Sequence, residues 1–505
     1  MGEGIDERGA GAEGAPKASM RERAVRGSVW VALAFGYGQG VRLAGNLALA
    51  FLLRENIAAI GIMALVNSLN RGLQMASSVG LNLSVVQHER GEDPAFLNTA
   101  WTLQVLRGVG LLLLCCVFAW PYAQLYNEPV LTWLVPVTGL VLIAVAVQSP
   151  GIWLAERRLQ VGRVIALDVT AQTVTLGTML VWAYFSPTVW AMAGGVVVGG
   201  VVRAISSYII APAARPRFRL EREASSSMLR FGGWLLLGTL LTYFATDAPT
   251  LALGRAFTKE DLAVFAVAFM LATFSSQCVS KMAALVVFPL YSEVKNKGGD
   301  IADAASRVLG PLRVFAGCAT AGMYAAGPMV VLLLWPYEYA NAAWMVRLLA
   351  VTAMLVVLGD KLKMVLLSLG EARPTIWGHV AKLVALAVLM PLGAWWTWNT
   401  MGWGLPGFVA GAAASEGARY LTYSLLTRRH GVESTRGDLV WIAFTGVVSV
   451  AAAFVGDYAW NAALASGMSP RISAGVGAAA GSAVVGLVFA WPVLKAAMDV
   501  RGARR

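Results

Sequence analysis

The chain has 505 residues, of which 58% are hydrophobic and only 13% are charged, and its mean hydropathy is +0.65. Soluble globular domains carry about 25% charged residues, so this composition excludes a soluble enzyme or binding module. The formal net charge of +12 is concentrated in short segments between apolar runs, which indicates membrane topology and no role in nucleic-acid binding. The sequence therefore predicts an all-α polytopic membrane protein.

The first twenty residues are rich in Gly, Ala and Glu, lack an apolar segment and precede a basic cluster. They predict a disordered cytoplasmic tail over residues 1–24 and no signal peptide. A membrane span needs about 20 apolar residues. By that criterion the rest of the chain predicts about fourteen transmembrane helices, near residues 29–53, 57–85, 98–121, 130–150, 163–185, 188–211, 230–254, 262–290, 308–335, 341–366, 376–398, 405–427, 438–460 and 472–494.

Basic residues are unevenly distributed between the connecting segments. With the N terminus inside, the inside segments hold clusters around Arg157, Arg217, Arg428 and Arg505, whereas the outside segments hold about four cations. Because Lys and Arg favour the cytoplasmic side, both termini are predicted to be cytoplasmic.

The chain also contains a weak internal repeat. Arg54-Glu-Asn-Ile-Ala, before the second span, is similar to Lys259-Glu-Asp-Leu-Ala, before the eighth. Six spans in each half, an even number, would relate the halves by an axis along the membrane normal. The predicted domains are an N-lobe at 25–213 (spans 1–6), a basic cytoplasmic linker at 214–229, a C-lobe at 230–430 (spans 7–12), and two extra spans with a basic tail at 431–505.

The first span carries an arginine near its midpoint, Arg42. A central Arg costs about 2.5–3.5 kcal/mol on insertion, and such residues are usually functional. Gln39, Arg42 and Asn46 are spaced i, i+3 and i+7, so they share one face of the helix. Lipid is a poor environment for that face, which is therefore predicted to line a cavity.

Three further spans carry polar residues at helical spacing. If the two lobes face each other, these stripes line one central cavity in which cations predominate. Asp247 stands at the repeat position of Arg42 and is predicted to be its charge partner or a coupling-ion site. The stripes comprise Asn67, Asn70, Arg71, Gln74, Ser78 and Asn82 in the second span, Thr239, Thr242, Tyr243, Thr246, Asp247 and Thr250 in the seventh, and Thr273, Ser276, Gln277, Ser280 and Lys281 in the eighth.

These stripes also have a purely structural interpretation. Ser, Thr and Asn side chains join membrane helices by bonding across their interfaces, and Lys281 can extend its side chain to the membrane surface. Glu416 with Arg419, Lys382 and Asp168 are predicted to form ion pairs within or between helices or to be interface residues, and Arg107 and Arg203 are predicted to be anchors near the cytoplasmic ends of their helices. No spacing of Cys, His or carboxylates indicates a metal or cofactor site.

Five phrases carry a family resemblance: Gly27-Ser-Val-Trp30, Arg54-Glu-Asn-Ile-Ala-Ala-Ile-Gly61, Thr99-Ala-Trp-Thr-Leu-Gln-Val-Leu-Arg-Gly108, Leu154-Ala-Glu-Arg-Arg-Leu-Gln-Val-Gly-Arg163 and Asp247-Ala-Pro-Thr-Leu-Ala-Leu-Gly254. With them the chain resembles the MOP exporter superfamily and, within it, the Wzx-type oligosaccharide and polysaccharide flippases. The resemblance covers about residues 25–495 and is greatest to exporters of exopolysaccharide or colanic-acid repeat units.

The resemblance implies a V-shaped pair of six-helix lobes that alternate access around a cationic cavity. The implied substrate is an undecaprenyl-diphosphate-linked oligosaccharide, moved across the bacterial inner membrane for exopolysaccharide, O-antigen or capsule assembly. Membrane lipids and the polymerase and export machinery are the implied partners. Arg42 and Arg71 match the arginines that such proteins use on the diphosphate, Lys281 adds a third cation, and the glycan would contact Gln39, Asn46, Asn67, Asn70, Gln74, Tyr243, Thr246 and Gln277.

Three other functions remain open. A lipid II flippase would have a similar charge pattern. A multidrug extruder of the same superfamily would need an acidic cavity, and a membrane enzyme acting on lipid-linked glycans would need larger outside loops.

ATP is not the expected energy source, because the sequence lacks a G-x-x-x-x-G-K-[ST] motif. Outward movement of negative charge gains about 2.3 kcal/mol per charge per 100 mV, so the membrane potential or a coupled proton or sodium ion is expected to drive transport.

Overall fold

The computed structural model of the chain describes residues 20–76, 85–86, 88–158, 160–212, 216–274, 276–277, 301–368, 374–430 and 435–502. Nearly all of these residues are helical, and no β-strand occurs among them. The helices are α1 (Met20–Leu52), α2 (Ala58–Ala76), α3 (Pro94–Tyr126), α4 (Leu131–Ala146), α5 (Gly151–Arg157), α6 (Val161–Phe185), α7 (Val189–Ile210), α8 (Arg222–Ala256), α9 (259–274), α10 (Ile301–Leu334), α11 (Ala342–Ser368), α12 (Pro374–Met401), α13 (Leu405–Arg428), α14 (Thr435–Ala465) and α15 (Pro470–Gly502).

The chain is a multi-pass membrane protein. In the part of the chain that the structure describes, eight helices are long and apolar enough to cross a membrane. Helices α4 and α5 make a ninth span if they are counted as one helix that bends by 61° between them. Neither α2 nor α8 is among these, because polar residues interrupt their apolar runs. Every predicted span has a helical counterpart, but fourteen crossings remain a prediction.

The helices pack in two groups. Helices α1–α7 pack mainly against one another, and helices α10–α13 form a second packed group, while α14 and α15 form a pair that packs on α10. Helix α8 begins the second group in the chain and contacts both groups, through α2 and α3 on one side and α12 on the other. It begins at Arg222, inside the segment predicted as a linker, and the proposed domain boundaries otherwise stay as predictions.

The two groups share one hydrophobic core at a single end of the molecule. That core contains Leu53 after α1, Leu253 near the end of α8 and Trp335 after α10. At the opposite end each group has its own cluster, one around Phe96 and the other around Tyr423. We call the shared end the closed end; the other, where α3 begins and α13 ends, is the basic end.

Contact at the closed end depends on Gly61 of α2. A Cβ atom added there would overlap the backbone carbonyl oxygen of Lys259, at the start of α9, whereas one added at Gly110 of α3 meets nothing within 4 Å. Gly61→Ala is expected to lower stability by about 1–3 kcal/mol, as overpacking does, and Gly110→Ala to change it by no more than about 1 kcal/mol. Thermal unfolding in one detergent measures both, and equal midpoints would contradict the prediction.

Candidate functional site

Helices α2 and α8 form the main contact between the two groups, and they run in antiparallel order. Successive positions along α2 meet successively earlier positions from the start of α9 back along α8. The pairs are Gly61 with Lys259, Leu65 with Gly254, Arg71 with Asp247, Gly72 with Tyr243, and Met75 with Thr239.

An ion pair lies in the middle of this contact. Arg71 Nη2 donates to Asp247 Oδ1 at 2.6 Å, and Ser68 Oγ donates to the same oxygen at 3.0 Å. Asp247 is only 4% exposed, whereas 59% of the Arg71 side chain is exposed. The carboxylate is thus buried in the contact, while the guanidinium keeps an accessible side. Since arginine has five N–H donors, the pair leaves donors available to a second anion.

The contact continues through aromatic and hydroxyl groups on α8. The ring of Tyr243 lies against Gly72 with no room for a larger residue, and Tyr243 is buried. Thr239 Oγ1 donates to the backbone oxygen of Met75 at 3.0 Å. Tyr243 therefore holds α8 on α2 in this conformation and is not accessible to a glycan.

A second contact between the groups joins α1 to α9 and to the helical residues 276–277. Gln39 Nε2 donates to Gln277 Oε1 at 3.0 Å, and Asn46 Nδ2 lies 3.0 Å from the sulfur of Met270. Arg42 is on the same face of α1, between these two residues, and is exposed. All four helices predicted to carry polar stripes thus lie at the contacts between the groups.

The remaining stripe residues divide by their surroundings. Asn67, Gln74 and Thr246 are exposed. Asn70 instead turns into its own group of helices, where its Nδ2 donates to Thr138 Oγ1 at 3.2 Å. Lys281 lies outside the described residues, as do Ser78 and Asn82. The described partner of Asp247 is Arg71, where the repeat had suggested Arg42.

Two residues at the site were not selected from the sequence. Ser68, fully buried, bonds Asp247; it precedes Arg71 by three residues, a spacing that places both on one helical face and could have identified it. Arg107 was predicted to be a membrane anchor, but its Nη2 donates to the backbone oxygen of Gln74 at 2.9 Å. This arginine therefore supports the end of α2 that carries the stripe.

The predicted ion pairs away from the stripes are confirmed. Glu416 pairs with Lys382 and lies 2.8 Å from Arg419 Nε. Asp168 accepts from Arg203 at 2.6 Å, so Arg203 is an ion-pair partner, and its role as an anchor stays a prediction. Within the described ranges no group of His, Cys, Asp and Glu is arranged to hold a metal ion.

Arginine side chains fix the loop that leads into α3 at the basic end. Arg158 Nη2 lies 3.0 Å from Glu92 Oε2, and this hydrogen bond lowers the pKa of Glu92. Arg90 lowers the pKa of Asp93 in the same way. The pKa of each carboxyl group is lower in the folded protein than its ordinary value, which is 4.5 for Glu92 and 3.8 for Asp93. These bonds therefore stabilise the loop fully at pH values above the ordinary pKa, and their contribution is lost as the pH falls through the lowered pKa.

The family assignment follows from sequence comparison. A family profile described as "Polysaccharide biosynthesis protein" matches residues 49–343, which is more than half of the chain and includes α2 and α8. The chain belongs to this family. Among relatives, the family member is 22% identical over 288 residues to the lipopolysaccharide biosynthesis protein WzxC of Escherichia coli (strain K12), covering 55% of this chain and 56% of that protein.

A second relative is the teichuronic acid biosynthesis protein TuaB of Bacillus subtilis (strain 168). It is 18% identical over 304 residues, which cover 59% of this chain and 62% of TuaB. The chain thus matches less than two thirds of the length of either curated relative.

Solved structures share the fold over most of the chain. The lipid II flippase MurJ in an inward closed conformation superposes with a TM-score of 0.69 at 10% identity, covering 92% of this chain and 98% of MurJ. An inward-facing multidrug resistance MATE family transporter of the MOP superfamily gives a TM-score of 0.58 at 15% identity, covering 77% and 93%. Together the comparisons confirm the predicted all-α fold, which the chain shares with MurJ and the MATE family transporter, and place the chain in a polysaccharide biosynthesis family.

Proposed function

We propose that this family member translocates undecaprenyl-diphosphate-linked oligosaccharides from the cytoplasmic to the periplasmic leaflet of the bacterial inner membrane. The observation that carries the proposal is the accessible guanidinium of Arg71 at the contact between the two helix groups. A cation within a membrane helix needs an anion or a polar cavity, and the planar donor fork of arginine suits phosphate oxygens. The names of WzxC and TuaB, which refer to lipopolysaccharide and teichuronic acid, support a glycan pathway.

The proposed site combines cations with neutral polar groups. Arg42 and Arg71 bind the diphosphate, and Lys281 is their third candidate. Exposed amide and hydroxyl groups bind the glycan at Asn67, Gln74 and Thr246. Gln39, Asn46 and Gln277 join them once the contact between α1 and α9 opens, whereas Asn70 and Tyr243 have protein partners and serve the packing of α2.

Asp247 gives this site a means of coupling binding to movement. It supplies the anion for Arg71 while no substrate is present, and a diphosphate that takes its place would release α8 from α2. A ligand shifts a conformational equilibrium only through its different affinities for the two states, and competition for Arg71 provides such a difference. The N-lobe and C-lobe could then alternate access, with both termini in the cytoplasm. The outward movement of diphosphate charge is driven by the membrane potential, and no coupling ion is required.

Asp247→Asn tests this competition. The amide keeps the size of the side chain but removes its charge, so a soluble prenyl-diphosphate analogue is expected to bind about two- to fivefold more tightly, which corresponds to the upper part of the roughly 0.2–1 kcal/mol that a partly exposed ion pair contributes. Calorimetric titration of the purified protein measures the affinity for the analogue. Asp457→Asn, on α14 and paired with Arg347, is the matched control. Unchanged affinity in Asp247→Asn would contradict the competition.

The transport assay uses proteoliposomes and a fluorescent undecaprenyl-diphosphate oligosaccharide. Wild-type protein is expected to flip it, and faster when a potassium gradient with valinomycin sets the membrane potential that favours outward movement of negative charge. Lipid II is the second substrate to test, because the MurJ fold covers nearly the whole chain. Transport of lipid II alone would favour that flippase; transport of an organic cation alone would favour an extruder and contradict the proposal.

A further inference from the structure

Part of the segment that joins the two helix groups lies as a strip along the start of α3. Residues 216–221 are not helical and precede α8. Every second backbone N–H donates to a side chain of α3: Arg217 to Asn98 Oδ1 at 3.0 Å, Arg219 to Thr102 Oγ1 at 3.1 Å and Glu221 to Thr99 Oγ1 at 3.2 Å. This spacing is typical of an extended chain fixed along one edge. We call residues 216–221 the linker strip.

Two side-chain contacts also fix the linker strip, one at its last residue and one near its middle. The Glu221 carboxylate accepts from Arg90 Nη1 at 3.0 Å. The Phe218 ring lies 5.0 Å, between centroids, from the ring of Trp101, which is itself buried and donates to the backbone oxygen of Gln148. The strip is therefore built onto the protein at several points.

The side chains that the linker strip presents outward are alternately basic and apolar. Phe218 is 74% and Leu220 is 57% exposed, and Arg217 and Arg219 are also exposed. Successive side chains of an extended segment point to opposite faces, so the strip has one basic and one apolar face. The nearby acidic groups are already bonded to arginine: Glu221 and Asp93 to Arg90. Neither Arg217 nor Arg219 forms an ion pair with any residue that the structure describes.

The position of the linker strip along α3 places it at the membrane surface. Helix α3 has 33 residues and is therefore about 50 Å long at 1.5 Å per residue, whereas the hydrocarbon core is about 30 Å thick. The first two to three turns, which hold the strip, thus extend into the headgroup region. A basic and apolar segment at this depth is complementary to anionic headgroups above the start of the acyl chains.

We propose that the linker strip is a binding surface for anionic phospholipid, with Arg217 and Arg219 on the lipid phosphates and Phe218 and Leu220 in the upper acyl region. The site is separate from the proposed diphosphate site on α1 and α2 and does not depend on the transported substrate. Because the strip joins α7 to α8, bound lipid would hold the connection between the two helix groups at the membrane surface.

Native mass spectrometry of the full-length protein tests the proposal with phosphatidylglycerol and phosphatidylcholine of identical acyl chains. Wild-type protein is expected to retain phosphatidylglycerol preferentially. The double variant Arg217→Gln/Arg219→Gln should reduce that preference at least threefold. Arg429→Gln/Arg436→Gln removes two exposed arginines at the same basic end and should leave it unchanged. Phe218→Ser/Leu220→Ser is expected to weaken retention of both lipids, and elution volume and thermal midpoint confirm folding.

Two results would overturn the proposal. Equal losses in both arginine pairs would show a general effect of net charge with no defined site. Unchanged lipid retention in Arg217→Gln/Arg219→Gln would exclude lipid as the occupant and point to a protein partner at the linker strip.

Discussion

Replacing Arg71 by alanine is expected to reduce flipping of an undecaprenyl-diphosphate oligosaccharide by about ten- to a hundredfold at matched reconstitution. The Arg71 guanidinium is the accessible half of the ion pair between α2 and α8. A hydrogen bond to a charged group contributes about 1.5–3 kcal/mol, and the diphosphate loses this interaction in the variant. The flipping rate of Arg71→Lys should lie between those of the wild type and Arg71→Ala, because lysine keeps the positive charge but lacks the planar guanidinium fork. Fluorescence quenching of flipped substrate in proteoliposomes gives the rates.

The comparison needs one variant at the site and one outside it. Arg42→Ala is expected to show a similar loss, since Arg42 lies on the face of α1 that meets α9 between two contacts of the helix groups. Arg429→Ala, exposed at the basic end, should transport normally. Undiminished flipping by both Arg42→Ala and Arg71→Ala would remove the site assignment and leave the family membership intact.

The helices of this site could be predicted from the sequence for a simple physical reason. Polar side chains spaced i, i+3 and i+7 in an apolar run share one helical face, and that face is unstable against lipid. The pattern selected α1, α2, α8 and α9, and these four helices form two antiparallel contacts between the helix groups in the part of the chain that the structure describes. The same polar residues explain why α2 and α8 are not apolar enough to be recognised as spans.

The individual contacts could not be predicted in this way. The repeat aligned Asp247 with Arg42, but a repeat relates equivalent positions and does not identify neighbours. The antiparallel order of α2 and α8, which brings Asp247 to Arg71, is set by tertiary packing. Asn70 directly precedes Arg71, but neighbouring residues of an α-helix point in directions that differ by about 100° around the helix axis. This difference places Asn70 against Thr138 of α4, away from the ion pair.

Asp438, at the start of α14, supports the second large prediction. This fully buried carboxylate accepts from Arg313 Nε at 2.5 Å, from Lys361 Nζ at 2.5 Å and from the Tyr420 hydroxyl at 3.0 Å. The three donors come from α10, α11 and α13. A single aspartate therefore joins α14 to three helices of the second group.

Asp438→Ala is expected to lower the free energy of unfolding by about 3–5 kcal/mol, because removing one partner of a buried ion pair leaves charge without its counter-ion. Asp457 provides a matched control on the same helix. It pairs with Arg347 at 2.9 Å, but the two side chains are 38% and 28% exposed, and such pairs contribute about 0–1 kcal/mol. Thermal or chemical unfolding of both variants in one detergent measures the difference.

Equal destabilisation would contradict the assignment of Asp438 as the anchor of α14. A large loss at Asp438 alone, with flipping per folded molecule unchanged, would show that its charges hold the last two helices in place and take no part in transport.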